Sequence, residues 1–545
     1  MLLSLATAAC IQSPVPPPGG TLPEQLRRIE ALYADARELY FQTYVTEARG
    51  APRNLRGQSL DEMRGAYRTM SERIIERLGA LDSARFGAED RRAIRVMRQQ
   101  LVATLVSESA SDASTAPCAY DPAALATGAD AYSQLARRIY ACFGEAARQV
   151  VTPADTVDRL TVLGRLATDS SAERRRALFL SLEPLWRTVN GDGSTRSPYR
   201  TLLPLSAARW RALGSPIDEA ARSVGLDPAQ TERTLVRILE VWRDHTPDAP
   251  TEPWDWWYGS GEASRVLSPR LTRDAIKTVN DNFYRDQGAD PIKLGVRYDL
   301  EPREGKTPVA FTQFGQPARR RGRDYTLAEA WVFATYRTGG FDNLVELLHE
   351  TGHAVHISAV ATRPAFADWP DSDPFTEALG DLLALEAYEP AWQQRYLGAA
   401  APLTASLRAK YASIVLDVAW ALFELRTHRD PSADPNAVWG AITGDYLRIR
   451  PHPEWSWWAM RGQLVDAPGY MMNYALGAMI AAALRERTRE ARAPFSVPDR
   501  EMYEWLSDRL YQWGQERASR DVLRDFLGAS LTPAPLVADM SRLER

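Results

Sequence analysis

The segment Phe341-Asp-Asn-Leu-Val-Glu-Leu-Leu-His-Glu-Thr-Gly-His-Ala-Val-His356 decides how this chain is read. Apolar side chains at 344, 345, 348 and 355 fall at helical spacings, and Asp342 is placed to cap the helix start. On such a helix His349 and His353 stand one turn apart and aim two imidazoles at one point, as a tetrahedral Zn²⁺ requires. Glu350 falls beside that point rather than on it, where a carboxylate takes a proton from bound water. With only six His in 545 residues, this spacing arises in well under about one per cent of shuffled sequences, so it is read as signal.

Two His leave a zinc site one protein ligand short, with a further position for water. Downstream, Asp373-Pro-Phe-Thr-Glu377-Ala-Leu-Gly-Asp381-Leu-Leu-Ala-Leu-Glu386 opens with a capping Asp and a Pro in the first turn. Apolar residues at 375, 378, 379, 382, 383 and 385 predict a second buried helix, on which Glu377 and Asp381 share a face. A carboxylate on a buried helix is costly unless it is paired or metal-bound. Glu377 as third ligand and Asp381 as the acceptor that orients a ligand imidazole account for both. Glu386 and His356 compete for the ligand role, with His356 more simply a core or supporting histidine.

These segments resemble the peptidases related to angiotensin-converting enzyme, in which the ligand Glu follows the first His by 28 positions, as Glu377 follows His349. The companion Asp matches at Asp381. Tyr298-Asp-Leu-Glu-Pro-Arg303-Glu-Gly-Lys306 resembles the Asp-x-x-x-Arg-x-Gly-Lys loop of the sister group, the thimet oligopeptidases and oligopeptidase F. His349 to His356 likewise resembles that group's His-Glu-x-Gly-His-Ala-x-His. Pro468-Gly-Tyr470-Met-Met-Asn-Tyr474 has its tyrosine spacing, but Gln463-Leu-Val-Asp466 lacks the His that the group places before the first Tyr. His452 is one candidate to replace it.

The resemblance covers roughly residues 255–480. It implies a mainly α fold, a two-lobed helical ellipsoid with a deep central channel and a small β hairpin or sheet near the active site. It also implies one Zn²⁺ per chain on His349, His353 and Glu377, with Glu350 as general base and Tyr470 and Tyr474 as oxyanion donors. Asp381 and His356 would support the ligands, and Arg303 and Lys306 would contact substrate at the cleft. Short unstructured peptides would be the substrates. A catalytically silent peptide-binding protein of the same fold and a zinc hydrolase of non-peptide amides are the alternatives.

Composition fits a soluble globular protein: 45% hydrophobic, 25% charged and a formal net charge of −4. No basic footprint points to nucleic acid, and no apolar run is long enough for a transmembrane span. Neither a Gly-rich phosphate loop nor a Gly-x-Ser-x-Gly elbow is present. Helical patterns run from Leu22 to about Gln100 and resume after a loop at 107–131. Ile292–Leu300 and Thr307–Phe314 alternate on either side of a turn and read as a β hairpin. Residues 21–545 are expected to form one catalytic domain in two lobes, and a monomer. Thr7-Ala-Ala-Cys10 and the Pro-rich stretch to Gly20 resemble the end of an export signal with a lipobox. That predicts a lipid anchor at Cys10 and a periplasmic location, with a cytoplasmic one as the alternative. Cys118 and Cys142 would then remain as a pair to be bridged in an oxidising compartment. The tryptophans at 254–257 and 455–458 are read as packing, and the arginine runs at 319–323 and 485–492 as solvated faces.

Overall fold

Helix dominates the computed structural model, which describes residues 21–111, 131–303, 306, 309–321 and 324–543. Cys10 and Cys118, and with them the expected anchor and disulfide, lie outside those residues; Cys142 is buried. No helix among the described residues is long and apolar enough to cross a membrane.

Three helices open the chain: α1 (Leu22–Ala48), α2 (Leu60–Ala80) and α3 (Ala88–Ser111). Ser59 and Glu62 start α2 reciprocally, each side chain accepting the other's backbone N–H at 3.2 and 2.6 Å. Leu26, Ile29, Tyr33, Tyr67, Ile74, Met97 and Leu101 give these helices a core of their own, joined by Ala365 and Phe366. A much larger core gathers α4 (Ala131–Arg148), α5 (Arg273–Asp286), α6 (Phe341–Ala359), α7 (Asp373–Ala384), α8 (Leu403–Arg429) and α9 (Met471–Ala491).

The expected β hairpin is corrected. β1 (Arg297–Asp299) and β2 (Phe311–Gln316) do not pair with each other, because β3 (Glu329–Phe333) lies between them. β1 runs parallel to β3 with Tyr298 opposite Val332, and β2 antiparallel with Thr312 opposite the same Val332. The central strand is buried along Ala330–Phe333, so it lacks the alternation that marks a strand half in water.

Both helix starts at the motif also differ from expectation. Helix α6 begins at Phe341, whose N–H is satisfied by the Ser268 hydroxyl at 3.0 Å, while Asp342 accepts from Ser264 instead of capping. Ser372, not Asp373, caps α7, with Pro374 in its first turn. Two members of the arginine runs are not on solvated faces: Arg485 is buried against Glu386, and Arg319 bonds Asp35, Glu38 and the Ala34 carbonyl of α1, whereas Arg487 is exposed. The tryptophans do pack, with Trp254, Trp257, Trp455 and Trp457 gathered around Phe179.

Helices α6 and α7 cross where two glycines meet. A Cβ on Gly352 would lie 2.4 Å from the Gly380 carbonyl oxygen and 3.0 Å from its Cα. One turn earlier on α7, a Cβ on Gly477 of α9 would lie 3.1 Å from the Glu377 Cβ. Overpacking of this kind costs about 1–3 kcal/mol. Gly352→Ala is therefore expected to lower the denaturant midpoint by at least that equivalent. Gly65→Ala, at an open helical position in α2, should instead raise it by about 0.5–1 kcal/mol. Equal effects would mean that the crossing is not tight.

Candidate metal centre

The crossing brings His349 and His353 of α6 against Glu377 of α7. The two Nε2 atoms lie 3.0 Å apart, and the His349 Nε2 lies 3.7 Å from Glu377 Oε2. Ligands on a tetrahedral Zn²⁺ with bonds of 2.0–2.1 Å sit about 3.3 Å apart, so the three atoms fit one cation with little movement. Gly380 makes the fit possible: a Cβ there would lie 2.8 Å from the His353 ring and 2.9 Å from His349 Cε1. Sequence reading assigned that glycine no role. The signal was present, since a glycine inside an apolar helix costs roughly 1 kcal/mol and calls for a packing reason.

Asp381 accepts from His349 Nδ1 at 2.7 Å, which leaves Nε2 as the ring atom that faces the cluster. His353 has no comparable partner: its Nδ1 is buried without a hydrogen bond, and its ring meets the edge of Trp369. His356 lies deeper, 1% exposed, packed between Trp369 and Tyr511. It is a core histidine, which burial pushes down to about 3. Glu386 is paired with Arg485 and Arg489 and is not a ligand.

Glu350 is buried beside the cluster, and the Thr312 hydroxyl of β2 lies 2.8 Å from its Oε2. Thr312 escaped sequence reading because it arrives from a strand 38 residues away. The Tyr470 phenol donates to Glu377 Oε1 at 3.0 Å. Tyr474 stacks edge-on to Tyr470 and receives a hydrogen bond from Gln463 Nε2 at 3.4 Å. Gln463 thus supplies a polar partner for the tyrosine pair, whereas His452 is engaged with Glu252 and Glu454.

The charges around the two imidazoles also fit a cation. Burial pushes Glu350 and Glu377 up to about 7 each, with His349 and a hydrogen bond opposing it in both cases. Burial works against charge on His349 too, but Asp381, Glu350 and Glu377 outweigh it and push the imidazole up to about 10. Burial, then His349 and His356, drive His353 well below the ordinary range, so it is neutral and able to coordinate. The protein by itself holds protons where a divalent cation would displace them.

The loop cations expected to contact substrate are committed elsewhere. Lys306 is buried and donates to the Asp299 carbonyl at 2.7 Å, to Asp299 Oδ1 at 3.0 Å, and to the Glu301 and Ala334 carbonyls. Arg303 grips both Asp299 oxygens at 2.7 Å and the Arg49 carbonyl at 2.8 Å. Together they tie the end of β1 to β3 and α1. These bonds give both residues a structural role in the loop, with the Lys306 side chain buried and that of Arg303 still 34% exposed.

No protein-family model matches the chain, and no curated protein matches it in sequence. Solved structures match in fold. An M32 carboxypeptidase from Deinococcus radiodurans R1 superposes with a TM-score of 0.55 at 15% identity, over 96% of this chain and 98% of that one. A structure titled "The Structure of CHT" gives 0.55 at 13% identity, over 95% and 99%. At these identities the likeness shows the fold, and it spans nearly the whole of both chains.

Two outcomes are expected. Lys306→Met leaves the Asp299 and Ala334 carbonyls without their donor, with Arg303 still on the Asp299 carboxylate, and should lower unfolding stability by about 1–3 kcal/mol, with KM for any substrate unchanged. A raised KM in a folded variant would support the substrate-contact assignment. Acidification through about pH 7 protonates Glu377, and His349 has a proton to give up to the metal throughout that range, so zinc should bind more weakly by tenfold or more between about pH 8 and about pH 6. Chelator competition measures this, and a flat profile would exclude these groups as ligands.

Proposed function

We propose that this chain is a zinc metallopeptidase of the His-Glu-x-x-His plus Glu type, hydrolysing short unstructured peptides with one Zn²⁺ per chain. The observation that carries the reading is the convergence of His349, His353 and Glu377 within 4.8 Å of one another, with Glu350 buried alongside. The fold likeness to an M32 carboxypeptidase supports the same class, and it favours action from a free C-terminus.

Zinc bound by the three ligands would supply Lewis acidity toward a scissile carbonyl and acidify water. The protein's own groups do the rest. Glu350, pushed up to about 7 by burial, is matched to accept a proton near neutrality and return it to the leaving amine. Thr312 holds the Glu350 carboxyl in place from β2. Asp381 keeps His349 in the tautomer that coordinates through Nε2. Tyr474, and Tyr470 on release from Glu377, are adjacent phenols kept protonated by burial and by Glu377, and they are the donors for a developing oxyanion. His349 and Glu377 retain 23% and 16% side-chain exposure while His353 is buried, so substrate would enter from the His349 and Glu377 side.

Glu350→Gln should keep about one zinc per chain and lose activity by several orders of magnitude, whereas His349→Ala, His353→Ala or Glu377→Ala should lose the metal. Mass spectrometry of products from a peptide library, with and without C-terminal amidation, reads the activity. Zinc-loaded wild type that cleaves no peptide would favour a silent binding protein, and cleavage unaffected by amidation would favour endopeptidase action.

A further inference from the structure

Glu424, in the middle of α8, is fully buried and has no cationic partner among the described residues. Its oxygens accept from backbone instead: Oε1 from the Gly469 N–H at 2.7 Å and Oε2 from the Met471 N–H at 3.0 Å. Burial pushes the carboxyl up to about 8, and these two hydrogen bonds pull against it. An acid buried this deeply is expensive, and its two bonds offset only part of that cost. A serine or asparagine in the turn itself would cap a helix start without burying an acid.

The two N–H groups it holds flank Tyr470. That residue stands at the entry to α9 and reaches across to Glu377 through its phenol. The turn is also fixed from outside. Gly469 has φ +96°, and a Cβ there would lie 3.1 Å from Pro216 and 3.3 Å from Trp210. Glu424 therefore grips the residues on either side of Tyr470, whose phenol touches a candidate zinc ligand.

We propose that Glu424 is a positioning residue for Tyr470: its carboxyl group clamps the Gly469–Met471 turn and so sets the phenol on Glu377. The inference rests on the zinc peptidase reading above. Glutamine has the same shape, but its Nε2 places a donor against a donor N–H, so E424Q releases one side of the clamp with little change in volume.

The test is a double-mutant cycle on zinc affinity and on kcat and KM for a short peptide, using wild type, E424Q, Y470F and the double variant. E424Q is expected to weaken zinc binding roughly tenfold, as loss of a group supporting a ligand does, and to lower kcat by a similar factor with KM within about twofold. In the Y470F background E424Q should change neither by more than about twofold, because the path through the phenol is already cut. Equal effects of E424Q in both backgrounds would overturn the inference. So would a fall in melting temperature with zinc affinity and kcat intact, which is the mark of a purely structural acid. E424D keeps the carboxylate one methylene back and should show the same pattern at smaller size, which covers failure of E424Q to fold. A wild type that binds no zinc overturns the peptidase reading and this inference together; a zinc-bound wild type with an additive cycle overturns this inference alone.

Discussion

The contact between Gly352 and Gly380 is the constraint on which the rest depends. Three donor atoms from two helices converge on one point only if the helix backbones come closer than side chains allow. At this crossing the space that a Cβ of Gly352 would need is filled by the Gly380 peptide, and the space above Gly380 by both imidazole rings. Moving α7 outward by the width of one methyl group would carry Glu377 away from His349, where 3.7 Å already separates the two. Gly477 imposes the same closeness from α9. The helix that carries the candidate third ligand is thus held by two glycine contacts.

That geometry carries an electrostatic liability. Glu350, Glu377 and Asp381 surround two imidazoles in a region where burial disfavours every charge. Protons on His349 and on the carboxyls relieve the strain only in part, because they leave His353 neutral and its Nδ1 without a partner. A divalent cation relieves more of it, since it neutralises the acids and uses the imidazole lone pairs at once. The surrounding apolar core is large enough to carry such a site, which a small domain could not.

What was legible in the sequence was local. The spacing of His349, His353 and Glu350 follows from one helix, and the pairing of Glu377 with Asp381 from another. The joining of the two helices was inferred from two carboxylates on a buried helix, and the resemblance implied it through the 28-residue spacing. What escaped arrives through space. Thr312 comes from a sheet whose middle strand was hidden by its own burial, and Ser268 caps a helix 73 residues on. Glu424 looks like any helix glutamate until its partners are seen. The same holds for Lys306: nothing nearby in sequence announces that four acceptors converge on it.

The two imidazoles are oriented by different means, and this ties the site to the N-terminal helices. His349 is aimed by a hydrogen bond to Asp381, one turn along from Glu377, so its direction is fixed within the α6–α7 pair. His353 has only packing to hold it, the ring meeting the edge of Trp369 with centroids 5.9 Å apart. Trp369 in turn donates its backbone N–H to Asp368 Oδ1 at 2.8 Å, and Asp368 is paired with Arg37 of α1 in a buried contact. Phe41, one turn further along α1, stacks on Phe314, which meets Trp369 edge-on from the other side. A helix from the separate N-terminal core therefore braces the tryptophan that braces His353. A buried ion pair whose partner is removed leaves an uncompensated charge, so this brace is not one the fold can lose quietly. Helix α1 is consequently part of the candidate metal centre's architecture, although none of its residues is among the candidate ligands.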